Sequence, residues 1–475
     1  MKKQIIGILT ATFMILPLAA CGAAKDADPS MSGSSQIESQ SSQTSTASAD
    51  GDYTPLIDAS GLFSDRDRKQ TADISAAESI TLSDGKDFTI TKAGGYMVKG
   101  SANNATIIVD AGDDDEIQLV LDSVSITNED APAIYVKNAG KTYVTTTSSV
   151  STLTTTGTFT ADGSTEIDAV IFSRDDLVLN GTSTLKISST DNAVKCNDDI
   201  RVTGGTYIIN CDGNAFAAHN SIAVAGGDFT LNTMEDGFHA KDSDDDTKGF
   251  VFISGGTFDI TADQANEGDG IHGTTLLQID GGTFKISAGE CIEATCIQIN
   301  GGTFDLYAND DGINASNKSA SYTPVIEVNG GDITLEMAQG DTDGFDSNGY
   351  LYINGGTLNI TAQSPFDYDY EAEFNGGTII VNGKEATQIT NQFEGEFGGP
   401  GNGEFGGPGG MNGGGFPGVP DGNQGGGFGG PGGQGNGGWG GEFPDDWGGE
   451  FPGNPPDGFG GEFGGEYPGG YDGIA

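Results

Sequence analysis

Basic residues are few in this chain: 20 Lys and Arg stand against 69 Asp and Glu, for a formal net charge of −49. A surface of that sign repels phosphate backbones, so the composition argues against nucleic acid as a partner. It leaves cations, neutral polymers and cation-bridged polymers as the classes to consider. From Glu394 to Ala475 there is no Lys or Arg at all, and units such as Glu396-Phe-Gly-Gly-Pro400 dominate. Such a segment buries too little apolar surface to build a core, and residues 391–475 are expected to be a disordered Gly/Pro/Phe/acidic tail. Both tryptophans, Trp439 and Trp447, lie in it. Helical periodicity is missing across residues 190–390, which argues against a helical bundle there.

What is present instead is a repeat. Eight times between residues 204 and 377 an aliphatic strand, a Gly-Gly pair and a second strand recur, as in LLQIDGGTFKI (276–286) and CIQINGGTFDL (296–306). The first glycines fall at 204, 226, 255, 281, 301, 330, 355 and 376, a period of 20–29 residues. A period of that length signals a stacked solenoid. Apolar and polar residues alternate, so Phe284 and Ile286 point inward and Lys285 outward. Each coil should hold three short strands, with Gly-Gly giving positive φ at one corner. The residue before it (Asp280, Asn300, Asn329, Asn354, Asn375) should stack into a ladder. These features predict an all-β fold, a parallel β-helix over residues 52–390, right-handed by the crossover rule. Residues 52–168 lack the Gly-Gly signature and read as irregular first coils and a cap.

The N-terminal end reads as a lipoprotein signal. Lys2-Lys3, an apolar run from Ile5 to Leu18 and the lipobox Leu18-Ala-Ala-Cys21 predict lipidation of Cys21, and residues 22–51 form a Ser/Thr-rich linker. The mature chain is then expected on the outer face of a bacterial cell membrane, held by lipid alone and monomeric. The other cysteines (Cys196, Cys211, Cys291, Cys296) fall in slots that other coils fill with small or apolar residues, so buried free thiols are expected.

A second motif rides on the repeat: an acid or amide, a tiny residue, a large apolar one, any residue, then a small one. It runs Asn192-Ala-Val-Lys-Cys196, Asn214-Ala-Phe-Ala-Ala218, Asp236-Gly-Phe-His-Ala240, Asp269-Gly-Ile-His-Gly273, Glu290-Cys-Ile-Glu-Ala294, Asp311-Gly-Ile-Asn-Ala315 and Asp343-Gly-Phe-Asp-Ser347. Two coils carry a seven-residue insertion at one corner, near Lys241–Lys248 and Asn317–Thr323. Stacking turns the motif into columns about 4.8 Å apart per step. One column is Asp236, Asp269, Glu290, Asp311 and Asp343; its outward neighbour is His239, His272, Glu293, Asn314 and Asp346. Asp175 and Asp176 should stack on Asp198 and Asp199. Carboxylates this close repel, and a hard cation relieves them, so calcium is the expected ligand. The competing reading has each acid capping a turn. The acidic insertion Asp242–Asp246 is not an EF-hand loop, because Thr247 and Ile253 stand where its glycine and bidentate glutamate belong. His239 and His272 could also hold a transition metal, while His239, His272 and Tyr350 are candidate glycan contacts.

Ser173-Arg-Asp-Asp-Leu-Val-Leu-Asn-Gly181, the Asp-Gly-Phe/Ile motifs, Lys248-Gly-Phe-Val-Phe-Ile253 and Phe366-Asp-Tyr-Asp-Tyr370 resemble the bacterial carbohydrate-binding β-helix family of cellulolytic clostridia, over about residues 60–385. The resemblance implies an extracellular, pectate-lyase-like right-handed β-helix that binds calcium and cellulose-like or pectic chains. Glu290-Cys291 and Asn214-Ala215 depart from its Asp-Gly pattern. Three functions compete: a non-catalytic cell-surface polysaccharide binder, a calcium-dependent pectate lyase, and a structural adhesin or spacer. A lyase needs a base beside the metal, and Lys195, with Arg174 and Arg201 near it, is the candidate.

Overall fold

The computed structural model describes residues 53–391, apart from 148, 243, 244, 246, 264–267 and 341. The chain divides into two units, Met1–Gly401 and Asn402–Ala475, and the second lies wholly outside the described residues. The signal segment, Cys21, the linker and the tail expected from the sequence also fall outside them.

The period-two alternation of the repeats does produce strands, three per coil. One coil runs Asn192–Cys196, Asp199–Val202 and Thr206–Cys211. Each strand pairs in parallel with its counterpart one coil later: Val194 lies opposite Phe216, Ile200 opposite Ile222, and Tyr207 opposite Phe229. Strands of the first kind form a continuous twelve-stranded sheet, while the other two kinds merge into one of 24 strands. They merge because the 13-residue strand Glu116–Asn128 crosses a corner and pairs with both Lys141–Thr146 and Ser151–Thr155. The result is an all-β, β-helix-like stack. At its C-terminal edge Lys384–Ala386 turns back antiparallel on Thr378–Val381.

Inward residues stack on their own kind from coil to coil. Tyr207, Phe229, Phe258, Phe284 and Phe304 form a column with ring centroids 4.6–5.2 Å apart. Burying each ring contributes about 2–3 kcal/mol, and each stacked pair adds about 1. The second glycine of each pair makes room for this column. At Gly256 φ is +127°, and a Cβ there would meet the Gly227 carbonyl and the Phe258 ring at 3.1 Å. The amide ladder forms as expected, Asn300 Nδ2 donating to Asp280 Oδ1 at 2.7 Å and Asn329 Nδ2 to Asn300 Oδ1 at 2.9 Å. Cys196, Cys211, Cys291 and Cys296 are buried and free, and burial pushes the thiols up in pKa.

The first coils (Phe88–Ile90, Ile107–Asp110, Glu116–Asn128, Ile134–Asn138) continue the same pairing, and the expected lack of Gly-Gly is corrected by Gly94-Gly95, which opens the strand Gly94–Asn103. The segment before Glu78 runs along the side of the 24-stranded sheet: Ile57 N donates to Gln278 Oε1 at 2.8 Å, and Arg201 Nε to the Leu62 carbonyl at 2.7 Å. The outward residues Ala223 and Phe252 are apolar, and Ile57 packs over them. An apolar outer face attracts the strap there.

Candidate metal and glycan face

The twelve-stranded sheet carries the second motif, and its first residue has a backbone task. Asn192 Oδ1 accepts from Asn214 N at 2.9 Å, Asn214 Oδ1 from Asp236 N at 3.0 Å, Asp236 Oδ1 from Asp269 N at 2.8 Å, and Asp311 Oδ1 from Asp343 N at 3.0 Å. One oxygen of each thus caps the next coil, while in the aspartates the second oxygen stays available for chemistry. The tiny residue that follows is a steric need: a Cβ on Gly270 would lie 2.5 Å from the Cys291 carbonyl.

Register places Tyr135, Phe172, Lys195, Ala217, His239, His272, Glu293, Asn314, Asp346 and Asp367 in one outward row. Tyr135 and Phe172 are buried, packed edge to face at 5.9 Å beneath Phe159 and Ile167. Next comes a depression of about 440 Å³, lined by Lys195, Asn214, Ala217, His219, His239 and Lys248 among others. Beyond it the row turns acidic. His272 Nδ1 lies 2.8 Å from Asp269 Oδ2 and 3.0 Å from Glu293 Oε2. Burial alone would lower the His272 pKa, but bonds to these carboxylates push it up to about 10. Burial likewise works against the Glu293 carboxylate, yet His272 and Lys318 hold it down to about 2, so these two form the charged pair. Asp269, buried among like charges, is pushed toward its neutral form.

Further along, the acids have less relief. Burial, then Glu293 and Asp269, push Glu290 up to about 9. Burial, then Asp310 and Asp343, raise Asp311 to about 6; burial, then Asp311 and Asp367, raise Asp346 to about 7. Asn314 Nδ2 donates to Glu290 Oε1 at 3.1 Å, but Glu290 Oε2 and Asn314 Oδ1 are buried acceptors without a donor. Two buried oxygens without donors in an acidic row offer the all-oxygen chemistry that a hard cation takes. Glu290 and Asn314 are the residues that would hold it, with Asp346 next in the row.

The other expected acids are engaged differently. Arg201 bridges Asp176 at 3.3 Å and Asp199 at 3.0 Å, Asp175 accepts from Ala139 N at 2.9 Å, and Asn220 Nδ2 donates to Asp198 Oδ1 at 2.6 Å. These four do stack at the opposite corner of the sheet, but their contacts are with cations, amides and the Ser221 hydroxyl, which donates to Asp199 Oδ1 at 2.6 Å. Of the insertion Asp242–Asp246, only Asp242 and Asp245 are among the described residues.

A family model described as carbohydrate-binding domain-containing protein matches residues 84–344 and again 296–398. A carbohydrate-binding domain-containing protein of Acetivibrio thermocellus is 35% identical over 208 residues, covering 43% of this chain and 71% of that one. The chain belongs to this carbohydrate-binding domain-containing family. A solved structure described as a polysaccharide lyase-like protein from C. thermocellum, a gadolinium derivative, aligns with a TM-score of 0.36 at 21% identity over 64% of this chain and 97% of that chain.

In this family member Lys195 Nζ is held by the Asp168 carboxylate. Arg174 bonds the Thr165 hydroxyl, and Arg201 belongs to the other sheet, under the strap. Tyr350 also stands on the 24-stranded sheet, away from His239 and His272. There it lies parallel to Tyr352 at 5.8 Å and edge-on to Tyr370 at 5.2 Å. Lys318, whose Nζ lies 2.8 Å from Glu293 Oε1, escaped the sequence reading as a site residue. Its place in the second insertion was the available signal.

Proposed function

We propose that this protein is a non-catalytic, cell-surface polysaccharide-binding lipoprotein, anchored through Cys21, whose right-handed parallel β-helix holds calcium on its acidic row. The observation that carries the reading is the pair of donorless buried acceptors, Glu290 Oε2 and Asn314 Oδ1, beside the raised carboxylates Asp311 and Asp346. Calcium there takes the place of protons that the buried acids would otherwise hold. A metal with open positions bridges to a sugar carboxylate or hydroxyl, and an extended chain crossing the coils meets like chemistry about every 4.8 Å. Family membership supports carbohydrate as the partner class. Pectic chains suit the bridge best, because a uronate adds a charged ligand. Cellulose-like chains suit the group of exposed Tyr370 and half-buried Tyr350 and Tyr352, where pyranose faces stack on rings. The test is affinity electrophoresis of the full chain through polygalacturonate, with calcium and with chelator. Retardation that depends on calcium and is lost in Asp346→Asn supports the reading; equal mobility in all gels overturns it.

A further inference from the structure

The two histidines of the outward row have no part in the calcium site. Asp236-Gly-Phe-His239 and Asp269-Gly-Ile-His272 are the two copies of the motif with histidine in fourth place, and they occupy adjacent coils. Register therefore brings two rings and two carboxylates together. The rings stack with centroids 4.8 Å apart, tilted by 29°. His239 Nδ1 contacts Asp236 Oδ2, and His272 Nδ1 lies 2.8 Å from Asp269 Oδ2, 3.0 Å from Glu293 Oε2 and 4.0 Å from Asp236 Oδ2. The ligand atoms of Asp236, His239 and His272 lie within 4.8 Å of one another, as do those of Asp269, His272 and Glu293.

These groups are aimed by bonds already made elsewhere. Asp236 spends Oδ1 on the backbone of Asp269, which leaves Oδ2 toward the rings. Glu293 Oε1 is taken by Lys318 and by the Ser316 hydroxyl at 2.9 Å, which leaves Oε2 toward His272. The His272 side chain is only 10% exposed, whereas His239, at 23%, lines the depression and gives solvent a route in. An ion with bonds of about 2.0–2.1 Å sets its ligand atoms about 2.9 Å apart at right angles and about 3.3 Å apart in a tetrahedron. The contacts around His272 sit near that range. Imidazole nitrogen beside carboxylate selects a first-row transition metal, whereas calcium prefers oxygen throughout.

We propose that Asp236, His239 and His272 bind a zinc-class divalent transition metal, with Asp269 and Glu293 fixing the His272 ring from its buried side. The site is separate from the proposed calcium row and does not depend on glycan binding. Its rival is a proton, which leaves an imidazolium held between Asp269 and Glu293.

The test uses the full chain, stripped with chelator and titrated with Co²⁺ and then Zn²⁺ under excess Ca²⁺, which occupies oxygen-only sites. The expected result is ligand-field absorption from bound Co²⁺, displaced by Zn²⁺, with zinc affinity falling at least about tenfold in His239→Ala, the loss that even an outer partner of a metal ligand brings. Because His239 sits at the rim, this variant tests the site without relying on the buried His272. Asp346→Asn should leave zinc affinity unchanged while it removes the calcium effect, which separates the two sites. Zinc affinity equal in wild type and His239→Ala, or Co²⁺ absorption erased by calcium, overturns the proposal and leaves the proton as occupant.

Discussion

Along one outward row, the coils before Asn192 and those after Asp236 fill equivalent positions with different chemistry. The first part presents Ile108, Tyr135 and Phe172; the second presents His239, His272, Glu293, Asn314, Asp346 and Asp367. Backbone pairing is the same throughout, so the scaffold does not dictate what its outer face carries. Apolar outward residues instead call for cover, and Phe159 and Ile167 provide it over Tyr135 and Phe172. In the second part the buried acids hold Asp269 and Glu290 near neutrality and leave acceptors without donors. The tiny slot of the motif changes along the stack too, with Ala193 and Ala215 in earlier coils, Gly237, Gly270, Gly312 and Gly344 in later ones, and Cys291 among them as the exception.

That last difference offers the harshest way to break the comparison. A Cβ on Gly270 would lie 2.4 Å from Ile286 Cγ2 as well as 2.5 Å from the Cys291 carbonyl. Gly270→Ala should destabilise by about 3 kcal/mol, the upper end of ordinary overpacking. Ala215→Gly, the reverse change in an early coil, should cost only about 1 kcal/mol through backbone freedom. Urea unfolding midpoints measure both. Equal losses would mean that the slot does not distinguish the two parts.

Calcium should act on the second part alone. Ligand at a hundred times its Kd stabilises a folded state by about 2.7 kcal/mol, so millimolar calcium should raise Tm by several degrees over a chelated sample. Asp346→Asn should shrink that rise, while Phe172→Leu should leave it intact. A Tm insensitive to calcium, in protein shown to be metal-free, would remove the calcium site from the comparison.

Acid should mimic the metal, though less strongly. Asp311, Asp346 and Glu290 have folded pKa values of about 6, 7 and 9, all above the usual carboxylate range of about 4. Folding therefore takes up protons between those limits, and stability falls as pH rises. Metal-free protein should melt several degrees lower at pH 8 than at pH 5, and saturating calcium should flatten the difference. A chelated sample that gains stability over the same interval would show that these acids are not strained.

Much of this was legible in the sequence because each coil repeats its constraints. Gly-Gly spacing located the corners, alternation put Phe284 and Ile286 inside, and the Asp-Gly motif located the columns. What was not legible depends on contacts between distant segments. Nothing in Leu56-Ile57 announces that their amides will cap Gln298 and Gln278, more than 200 residues away. Asp176 and Asp199 read like Asp311 until Arg201 is seen between them. A column is visible in sequence, whereas the side chain that neutralises it is visible only once the coils are stacked.

The smallest effect tests whether chemistry hides in the boundary between the two parts, at Lys195. Its ammonium is tied to Asp168, whose Oδ1 is buried without a partner, so the lysine serves to balance that acid. Lys195→Gln keeps a donor for Asp168 while removing the charge. A partly exposed pair of this kind contributes about 1 kcal/mol or less, so Tm should move only slightly. Polygalacturonate retention should stay within about twofold, since 1 kcal/mol is less than a tenfold change in affinity. Neither protein should release unsaturated uronides, followed by their absorbance over hours with calcium present. Steady release by the wild type that disappears in Lys195→Gln would make Lys195 a base and the molecule a lyase, with its chemistry at the junction and the acidic row reduced to holding substrate.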